Sequence, residues 1–205
     1  MSHAIAKLVL ATGNPGKKEE LEVLLAGTGI ALASISDYPG LKLPPETGTT
    51  FLENARLKAR AVAAATGEWV LSDDSGLVVD ALGGAPGVFS ARYAGPEADD
   101  RENNLKLLEA LSGVPDERRG AAFVCVLILL SPAGEEFVFT GECRGRIAHR
   151  PVGCGGFGYD PVFLVAPQFQ LTMAELGRER KNALSHRGAA LRKLCAWLAE
   201  TGKKG

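Results

Sequence analysis

Two adjacent carboxylates, Asp73 and Asp74, follow an apolar run in the segment WVLSDDSG. Charged groups at the end of a buried strand are costly unless a cation or hydrogen bonds compensate them. Because neighbouring residues of a strand point to opposite faces, we expect one carboxylate to face a cleft and the other to face the protein. We expect the strand to run into an acidic turn here. A plain turn is the alternative, since Asp, Ser and Gly all favour turns.

A third carboxylate, Glu46, lies in the loop segment PPETG, where Pro and Gly restrict the backbone. Mg²⁺ binds proteins through one or two carboxylates plus phosphate oxygens, so Glu46 is a candidate ligand. A solvated surface glutamate is the alternative. Lys58 follows on a predicted helix, four residues after Asn54 and therefore on the same face. It is a candidate contact for an anion, although an exposed lysine is the more common case.

A tight polar turn, TGNPGK, joins a predicted strand to a predicted helix at residues 12–17. It is not a Walker A loop, because the glycines are too close together and the required Ser or Thr is missing. The N–H groups at a helix N-terminus nevertheless favour anions. Thr12, Gly13, Asn14 and Lys17 are therefore a candidate phosphate cradle, with an ordinary turn as the alternative. Lys18 is expected to be solvated.

Two later segments combine aromatic and basic residues. Phe157 and Tyr159 are flanked by glycines in GFGYDP, where they offer flat faces to a base or are simply buried as a strand begins. Lys181, His186 and Arg187 cluster at the predicted start of the last helix. Cations at a helix N-terminus oppose the dipole, which favours an anionic or carbonyl partner in that place.

The elements that position these residues follow from apolar periodicity. We expect strands over residues 8–12, 121–130 and 135–143, a strand in WVLSDDSG, and helices over 17–27, 100–111 and 184–200. Another helix is expected between a capping Thr50, with Glu53 in the capping box, and a terminating Gly67. Alternating strands and helices with an added hairpin predict an α/β fold with a mixed sheet.

Composition excludes several functional classes. With 46% hydrophobic and 23% charged residues and a net charge of −1, the 205-residue chain resembles a soluble domain and lacks the basic surplus of a nucleic-acid-binding protein. Its longest apolar run, residues 121–130, is shorter than the roughly 20 residues of a membrane span. Four cysteines without a CxxC favour reduced thiols over zinc. Residues 3–5 lead straight into a strand, so we expect no signal peptide and a cytoplasmic location.

Five segments of the chain resemble the inosine triphosphate pyrophosphatase family, which hydrolyses non-standard purine nucleoside triphosphates. They are TGNPGK, ETGTTFLENARLKA, DDSGLVVDALGGAPGVFSARYAG, GGFGYDPVF and KNALSHRG, and they span residues 12–188 in the family's order. The resemblance implies an elongated mixed β-sheet with flanking helices, in one domain over residues 1–205 with two lobes around a central active-site cleft. It also implies a homodimer and Mg²⁺-dependent cleavage of ITP, dITP or XTP to the monophosphate and diphosphate, which cleanses the nucleotide pool.

The resemblance also assigns a role to each candidate residue. Asp74 is the catalytic carboxylate, with Asp73 as its neighbour, and Asp74 shares the metal with Glu46. Ser75 contacts the substrate. The residues that hold the phosphates are Thr12, Gly13, Asn14, Lys17 and Lys58. The residues that form the nucleoside pocket are Phe157, Gly158, Tyr159, Asp160, Lys181, His186 and Arg187. Tyr159 stands where relatives often have Trp.

The choice of base can also be argued from the residue types. Donors such as His186 and Arg187 favour the 6-oxo edge of hypoxanthine and xanthine, and they disfavour ATP because a mispaired site leaves buried polar groups unsatisfied. Three other interpretations stay open. They are a pyrophosphatase for modified pyrimidine nucleotides, a nucleotide-binding regulator without catalysis, and an aspartic protease, which needs two DSG carboxylates and so a dimer axis.

Overall fold

A computed structural model describes residues 5–202 of the chain. The strands are β1 (Lys7–Ala11), β2 (Ala31–Ser34), β3 (Trp69–Val79), β4 (Gly120–Leu130), β5 (Glu136–Ile147) and β6 (Phe163–Val165). The α-helices are α1 (Pro15–Leu25), α2 (Phe51–Thr66), α3 (Asp100–Ala110), α4 (Arg178–Leu184) and α5 (His186–Gly202). His3 and Ala4, on which part of the signal-peptide expectation rests, lie outside the described residues.

The strands form one mixed six-stranded sheet in the order β2-β1-β3-β4-β5-β6. Strand β1 pairs in parallel with β2 and with β3, whereas β5 and β6 are antiparallel. The predicted α/β fold with a mixed sheet and flanking helices is therefore confirmed. Within residues 5–202, no helix combines the length and the apolar character that crossing a membrane requires.

The chain divides into two compact units. In unit 1, which comprises residues 5–74, 125–141 and 187–202, alternate residues of the strands serve different helices. Leu8 and Leu10 of β1 belong to a buried cluster with residues of α1 and α5, while Val9 belongs to a cluster with residues of α2. This two-residue period is the ordinary pleat of a strand that is buried on both faces.

Unit 2 comprises Ser75–Val124 and Glu142–His186 and has its own buried cluster. The rings of Phe123 and Phe163 meet there at 4.4 Å between centroids. Arg119 is buried among backbone carbonyls and donates to the oxygens of Ile147 and Ala148, at 2.8 Å each. A buried guanidinium needs such acceptors, and here it fixes the loop that follows β5.

Several predicted elements need correction. Strand β3 does not stop at an acidic turn but continues through Asp73 and Asp74 to Val79, because both carboxylates have cationic partners, described below. The predicted last helix, over residues 184–200, is α5 (His186–Gly202). A further helix that was not anticipated, α4 (Arg178–Leu184), precedes it and carries Lys181. The argument from cations at a helix N-terminus therefore fails for Lys181, which lies in the last turn of its helix. Strand β2 was not anticipated.

Candidate active site

Strand β3 sends its two adjacent carboxylates to opposite faces of the sheet. Asp73 lies two residues after Leu71 and therefore on the same face of the strand, which packs against α1 and α5. Asp74 lies four residues after Val70, on the opposite face, which packs against α2. Both carboxylates are buried, and each meets a cation from the helix on its own side. The sequence pair DD therefore creates two separate electrostatic environments one residue apart.

Asp73 is fully buried and tightly bound to cations. Lys17 Nζ lies 2.8 Å from Oδ1, and Arg187 Nε donates to Oδ2 at 2.8 Å. The thiol of Cys125 donates to Oδ2 at 3.3 Å. Arg187 also pairs with Glu20 of α1. Burial alone would raise the pKa of Asp73, but Arg187 and Lys17 outweigh burial and hold that pKa well below its usual value. Asp73 is therefore a permanent anion that ties α1 and α5 to β3.

Asp74 has a different environment. Its Oδ1 accepts from Lys58 Nζ at 2.8 Å, and the same ammonium donates to Glu46 Oε1 at 2.7 Å. Burial raises the pKa of Asp74 to about 6, although Lys58 opposes this rise. For Lys58 itself, burial alone would lower the pKa, but the Asp74 and Glu46 charges outweigh burial and raise it. Neighbouring carboxylates with opposite pKa shifts are the arrangement in which one is structural and the other can exchange a proton.

The Glu46 and Asp74 carboxylates suit a hard divalent cation. One ammonium, that of Lys58, contacts both, so the two carboxylates are close enough to share a cation. Across residues 5–202, no cluster of three or more His, Cys, Asp and Glu side chains is placed to hold a metal. Mg²⁺ does not require such a cluster, since it takes one or two carboxylates and completes its shell with water and phosphate oxygens. The residues present therefore fit Mg²⁺.

The loop that carries Glu46 is fixed to the start of α2. The side-chain oxygen of Asn54, a fully buried residue of α2, accepts from the Gly48 N–H at 2.7 Å. The Thr50 side chain caps the helix as predicted, accepting from the Glu53 N–H at 3.1 Å. The carboxylate of Glu53 accepts from the Thr49 N–H at 2.7 Å. Two consecutive backbone N–H groups of the loop are thus held by α2, two residues from the Glu46 carboxylate.

At position 48 there is no space for a side chain, so we expect a substitution of Gly48 to be unfavourable. A Cβ at this position would lie 2.6 Å from Glu53 Cβ and 2.7 Å from Asn54 Oδ1. We expect Gly48→Ala to lower the free energy of unfolding by about 1–3 kcal/mol and to raise the Mg²⁺ concentration needed for half-maximal activity. Urea unfolding and a Mg²⁺ titration measure the two effects. Gly177→Ala is the matched control, because a Cβ there meets nothing within 4 Å. Unchanged values for both variants would contradict this account.

The turn before α1 is a capped helix start. The side-chain oxygen of Asn14 accepts from the Lys17 N–H at 3.0 Å, and the Asn14 N–H donates to Thr12 Oγ1 at 3.2 Å. Gly13 and Asn14 are exposed, and a Cβ on Gly13 would meet only Leu43 Cδ1, at an ordinary 3.7 Å. The turn therefore presents an accessible helix N-terminus, although the Lys17 ammonium points to Asp73 and not into solvent.

Lys18 is not merely solvated. Its ammonium donates to Ser34 Oγ at 3.3 Å and lies 3.8 Å from Glu22 Oε1 on the next turn of α1.

In unit 2, the segment GFGYDP is organised around one carboxylate oxygen. Oδ2 of Asp160 accepts from the Phe157 N–H at 2.9 Å and from Lys181 Nζ at 2.7 Å. The Lys181 ammonium also lies 4.7 Å from the centre of the Phe157 ring. Gly156 has φ +75°, and a Cβ there would lie 2.0 Å from the same Asp160 oxygen. Asp160 thus arranges both the aromatic ring and the cation of this segment.

Two predicted members of the nucleoside pocket are placed otherwise by the structure. Tyr159 is only 5% exposed, and its hydroxyl donates to the Ser90 carbonyl at 2.8 Å, so its ring belongs to the core of unit 2. Arg187 is 1% exposed and is committed to Asp73 and Glu20 in unit 1. Both side chains are thus buried and engaged within the protein, and their role in a nucleoside pocket stays a prediction. His186 is buried with its ring stacked on Phe123, 5.0 Å between centroids.

Comparison with known proteins decides the family. The sequence pattern of the Ham1 family matches residues 8–197. The chain belongs to the Ham1 family. It is 56% identical over 188 residues to the dITP/XTP pyrophosphatase of Yersinia pestis, covering 91% of this chain and 94% of that protein. The Listeria monocytogenes dITP/XTP pyrophosphatase is 48% identical over 200 residues, 98% of each chain. A HAM1 protein structure from Coxiella burnetii has a TM-score of 0.87 at 44% identity, covering 96% of this chain and 100% of that one.

Membership of the Ham1 family confirms the resemblance found in the sequence. In unit 1 of this Ham1 chain, the predicted residues form two sets of ion pairs. The first set joins Asp73 to Lys17 and Arg187, and the second joins Lys58 to Glu46 and Asp74. In unit 2, Phe157, Asp160 and Lys181 form a third set, and Ser75 follows Asp74 on β3, partly exposed.

The sequence analysis missed two members of the first set, Glu20 and Cys125. Glu20 lies three residues after Lys17 on α1, and Cys125 is an apolar-looking residue in a buried strand. Only the helical spacing of Glu20 gave a signal, and that spacing is common on solvated helices.

Proposed function

We propose that this Ham1 protein hydrolyses dITP, XTP and ITP to the nucleoside monophosphate and diphosphate in a Mg²⁺-dependent reaction. It is an enzyme, a nucleoside triphosphate pyrophosphatase, which is the class named for its curated relatives. One observation supports the finer proposal best. Asp73 and Asp74 are adjacent, but Asp73 is held between Lys17 and Arg187, whereas Asp74 shares the Lys58 ammonium with Glu46. Such a pair supplies both a fixed scaffold and a group able to accept a proton.

The triphosphate would be held by residues of unit 1. A nucleoside triphosphate carries about four negative charges, so it needs several cations and N–H donors. The exposed turn at Gly13 and Asn14 lies at the N-terminus of α1, where the positive end of the helix dipole favours an anion. Lys58 supplies a full charge beside Asp74. The second candidate cation is Lys17, whose ammonium is paired with Asp73 in this structure. These groups favour an anion next to the candidate metal ligands.

Asp74 is the group that we assign to the attacking water. Among residues 5–202, its one cationic hydrogen-bond donor is Lys58, whereas Asp73 is engaged by Lys17, Arg187 and Cys125. A carboxylate in this position can orient a water for in-line attack and accept its proton. Mg²⁺ held by Glu46 and Asp74 would neutralise charge on the phosphates.

The base would be held by residues of unit 2. The Phe157 ring, partly exposed and fixed through Asp160, offers a stacking surface, and stacking on an aromatic ring contributes about 1–3 kcal/mol per base. Lys181 and His186 are the remaining candidates for donors to a 6-oxo group. Arg187 would act on this reaction only through Asp73. A 6-oxo base satisfies such donors, whereas the amino group of adenine leaves them unpaired.

A substrate panel tests the proposed function. The protein is incubated with XTP, dITP, ITP, GTP, ATP and modified pyrimidine triphosphates, with Mg²⁺ or with excess EDTA, and released diphosphate is measured. We expect diphosphate from XTP, dITP and ITP, with kcat/KM at least about 10²-fold above that for ATP, and none in EDTA. Equal rates with ATP would contradict the base pocket. Turnover of pyrimidines alone would favour the related pyrophosphatase, and binding without turnover would favour a regulator.

We also propose that the enzyme works as a homodimer in the cytoplasm, where its nucleotide substrates occur. The sequence resemblance supports the dimer. Light scattering on the eluted protein at several concentrations measures its mass against the 21.5 kDa of one chain.

A further inference from the structure

Gly158 of the segment GFGYDP is held by α3 through both of its backbone polar groups. Its N–H donates to Asp100 Oδ2 at 2.6 Å, and its carbonyl accepts from Asn104 Nδ2 at 2.8 Å. Gly158 has φ +62°, a conformation that glycine adopts without strain. Asp100 and Asn104 are four residues apart on one face of α3, so both hydrogen bonds to Gly158 come from the same face of one helix. We call Asp100 and Asn104 the α3 clamp.

The arrangement of Asn104 shows that the clamp is a specific feature. Asn104 is 5% exposed, and its amide nitrogen donates to the Asp100 carbonyl at 2.8 Å as well as to Gly158. Its buried side-chain oxygen has no hydrogen-bond partner in the part of the chain that the structure describes. A buried unsatisfied acceptor is unfavourable and rare in folded proteins. The sequence tolerates it here at the residue that fixes Gly158.

Phe157 lies between two such restraints. Its own N–H is held by Asp160, and the following residue, Gly158, is held by the α3 clamp. The backbone on both sides of the Phe157 ring is therefore fixed, which limits the directions in which the ring can point. A stacking ring that is already ordered in the free protein binds its ligand more tightly, because less conformational entropy is lost on binding.

We propose that Asn104 and Asp100 are positioning residues that hold the Phe157 ring ready to stack on the base of the substrate. The inference rests on the proposed function, since it assigns Phe157 to the base. Neither residue of the clamp needs to touch the nucleotide. Loss of the clamp should therefore weaken binding of the base and leave binding of the phosphates unchanged. A general loss of structure would weaken both.

The chain supplies a matched control in Asn103, the neighbour of Asn104 on α3. Asn103 is also buried and also uses its amide on backbone groups, accepting from the Ala94 N–H at 2.8 Å and donating to the Ala91 carbonyl at 3.3 Å. These hydrogen bonds hold a different loop, at residues 91–94, and not Gly158. Asn103→Ala therefore removes the same side chain from the same helix without touching the clamp.

The experiment compares Asn104→Ala, Asp100→Ala and Asn103→Ala in the full chain. We measure kcat and KM for XTP, the affinity for XMP by calorimetry, the inhibition constant of inorganic tripolyphosphate, and Tm. We expect Asn104→Ala to weaken XTP and XMP about 10-fold, within the range of one lost stacking contact, with kcat and tripolyphosphate inhibition little changed. We expect Asp100→Ala to weaken XTP and XMP binding as well. Because the Asp100 side chain is exposed, this variant can still be tested if Asn104→Ala does not fold.

A second measurement tests whether the clamp acts through Phe157. In a Phe157→Ala background, Asn104→Ala should have no further effect on XMP affinity, because the ring that it positions is gone. The proposal is overturned if the effect persists there, if Asn103→Ala reproduces it, or if tripolyphosphate weakens equally. Absence of diphosphate release by the unsubstituted protein would refute the proposed function instead, while XMP binding would still test the clamp.

Discussion

Asp74→Asn is expected to lower kcat by about 10²–10⁴-fold, the usual contribution of a positioned acid or base, while the protein stays folded. Asparagine keeps the shape of the side chain, and its oxygen can still accept from Lys58 Nζ, which is 2.8 Å from Oδ1 in the native chain. Lys58 also retains its contact with Glu46 at 2.7 Å. The substitution removes a charge and the ability to take a proton, so the loss should fall on turnover and not on folding.

The measurement is diphosphate release from XTP at saturating Mg²⁺, with thermal unfolding followed by circular dichroism. Asp80→Asn is the matched control, because Asp80 is exposed and its cationic neighbour Arg144 lies 4.0 Å away. This control should keep full activity. If Asp74→Asn retained near-normal turnover, Asp74 would not be the group that acts on the water.

The sequence was sufficient for the parts of this site that depend on local order. The capping Thr50 of α2, the strand–turn–helix at residues 12–17 and the opposite directions of Asp73 and Asp74 all follow from short-range rules, and the structure shows each of them. These features need no knowledge of which element packs on which, since the period of a strand and the chemistry of a helix cap are enough.

What the sequence could not give is the pairing of charges from distant segments. Asp73 and Arg187 are 114 residues apart, and nothing local indicates that one neutralises the other. For that reason the strand was expected to end at the carboxylates, whereas the ion pairs allow it to continue. The same missing information left the buried ion pair of Arg187 unpredicted, because its residue type and its position on a helix are equally consistent with binding a base.

Asp73→Asn is expected to destabilise the protein by about 3–5 kcal/mol, as breaking a buried ion pair from one side usually does. The Asp73 side chain is fully buried, and its two oxygens are shared among Lys17, Arg187 and the Cys125 thiol. An amide cannot neutralise the two cations, and its N–H₂ group would face donors. Urea unfolding gives the difference. Arg187→Met in the same chain should recover part of the loss, because it removes one of the cations left uncompensated.

The pH dependence of this difference distinguishes a buried charge from a buried hydrogen bond. Arg187 and Lys17 hold the pKa of Asp73 well below its usual value, so the native state binds this proton less readily than the unfolded state. The stabilisation is therefore fully present above the unfolded pKa of about 3.9 and is lost as the pH falls through the folded pKa. We expect the gap in unfolding free energy between the unsubstituted protein and Asp73→Asn to be constant from about pH 5 to 8 and to shrink below about pH 4. A gap that stayed constant into acid would mean that Asp73 stabilises the fold by its shape and hydrogen bonds, and not by its charge.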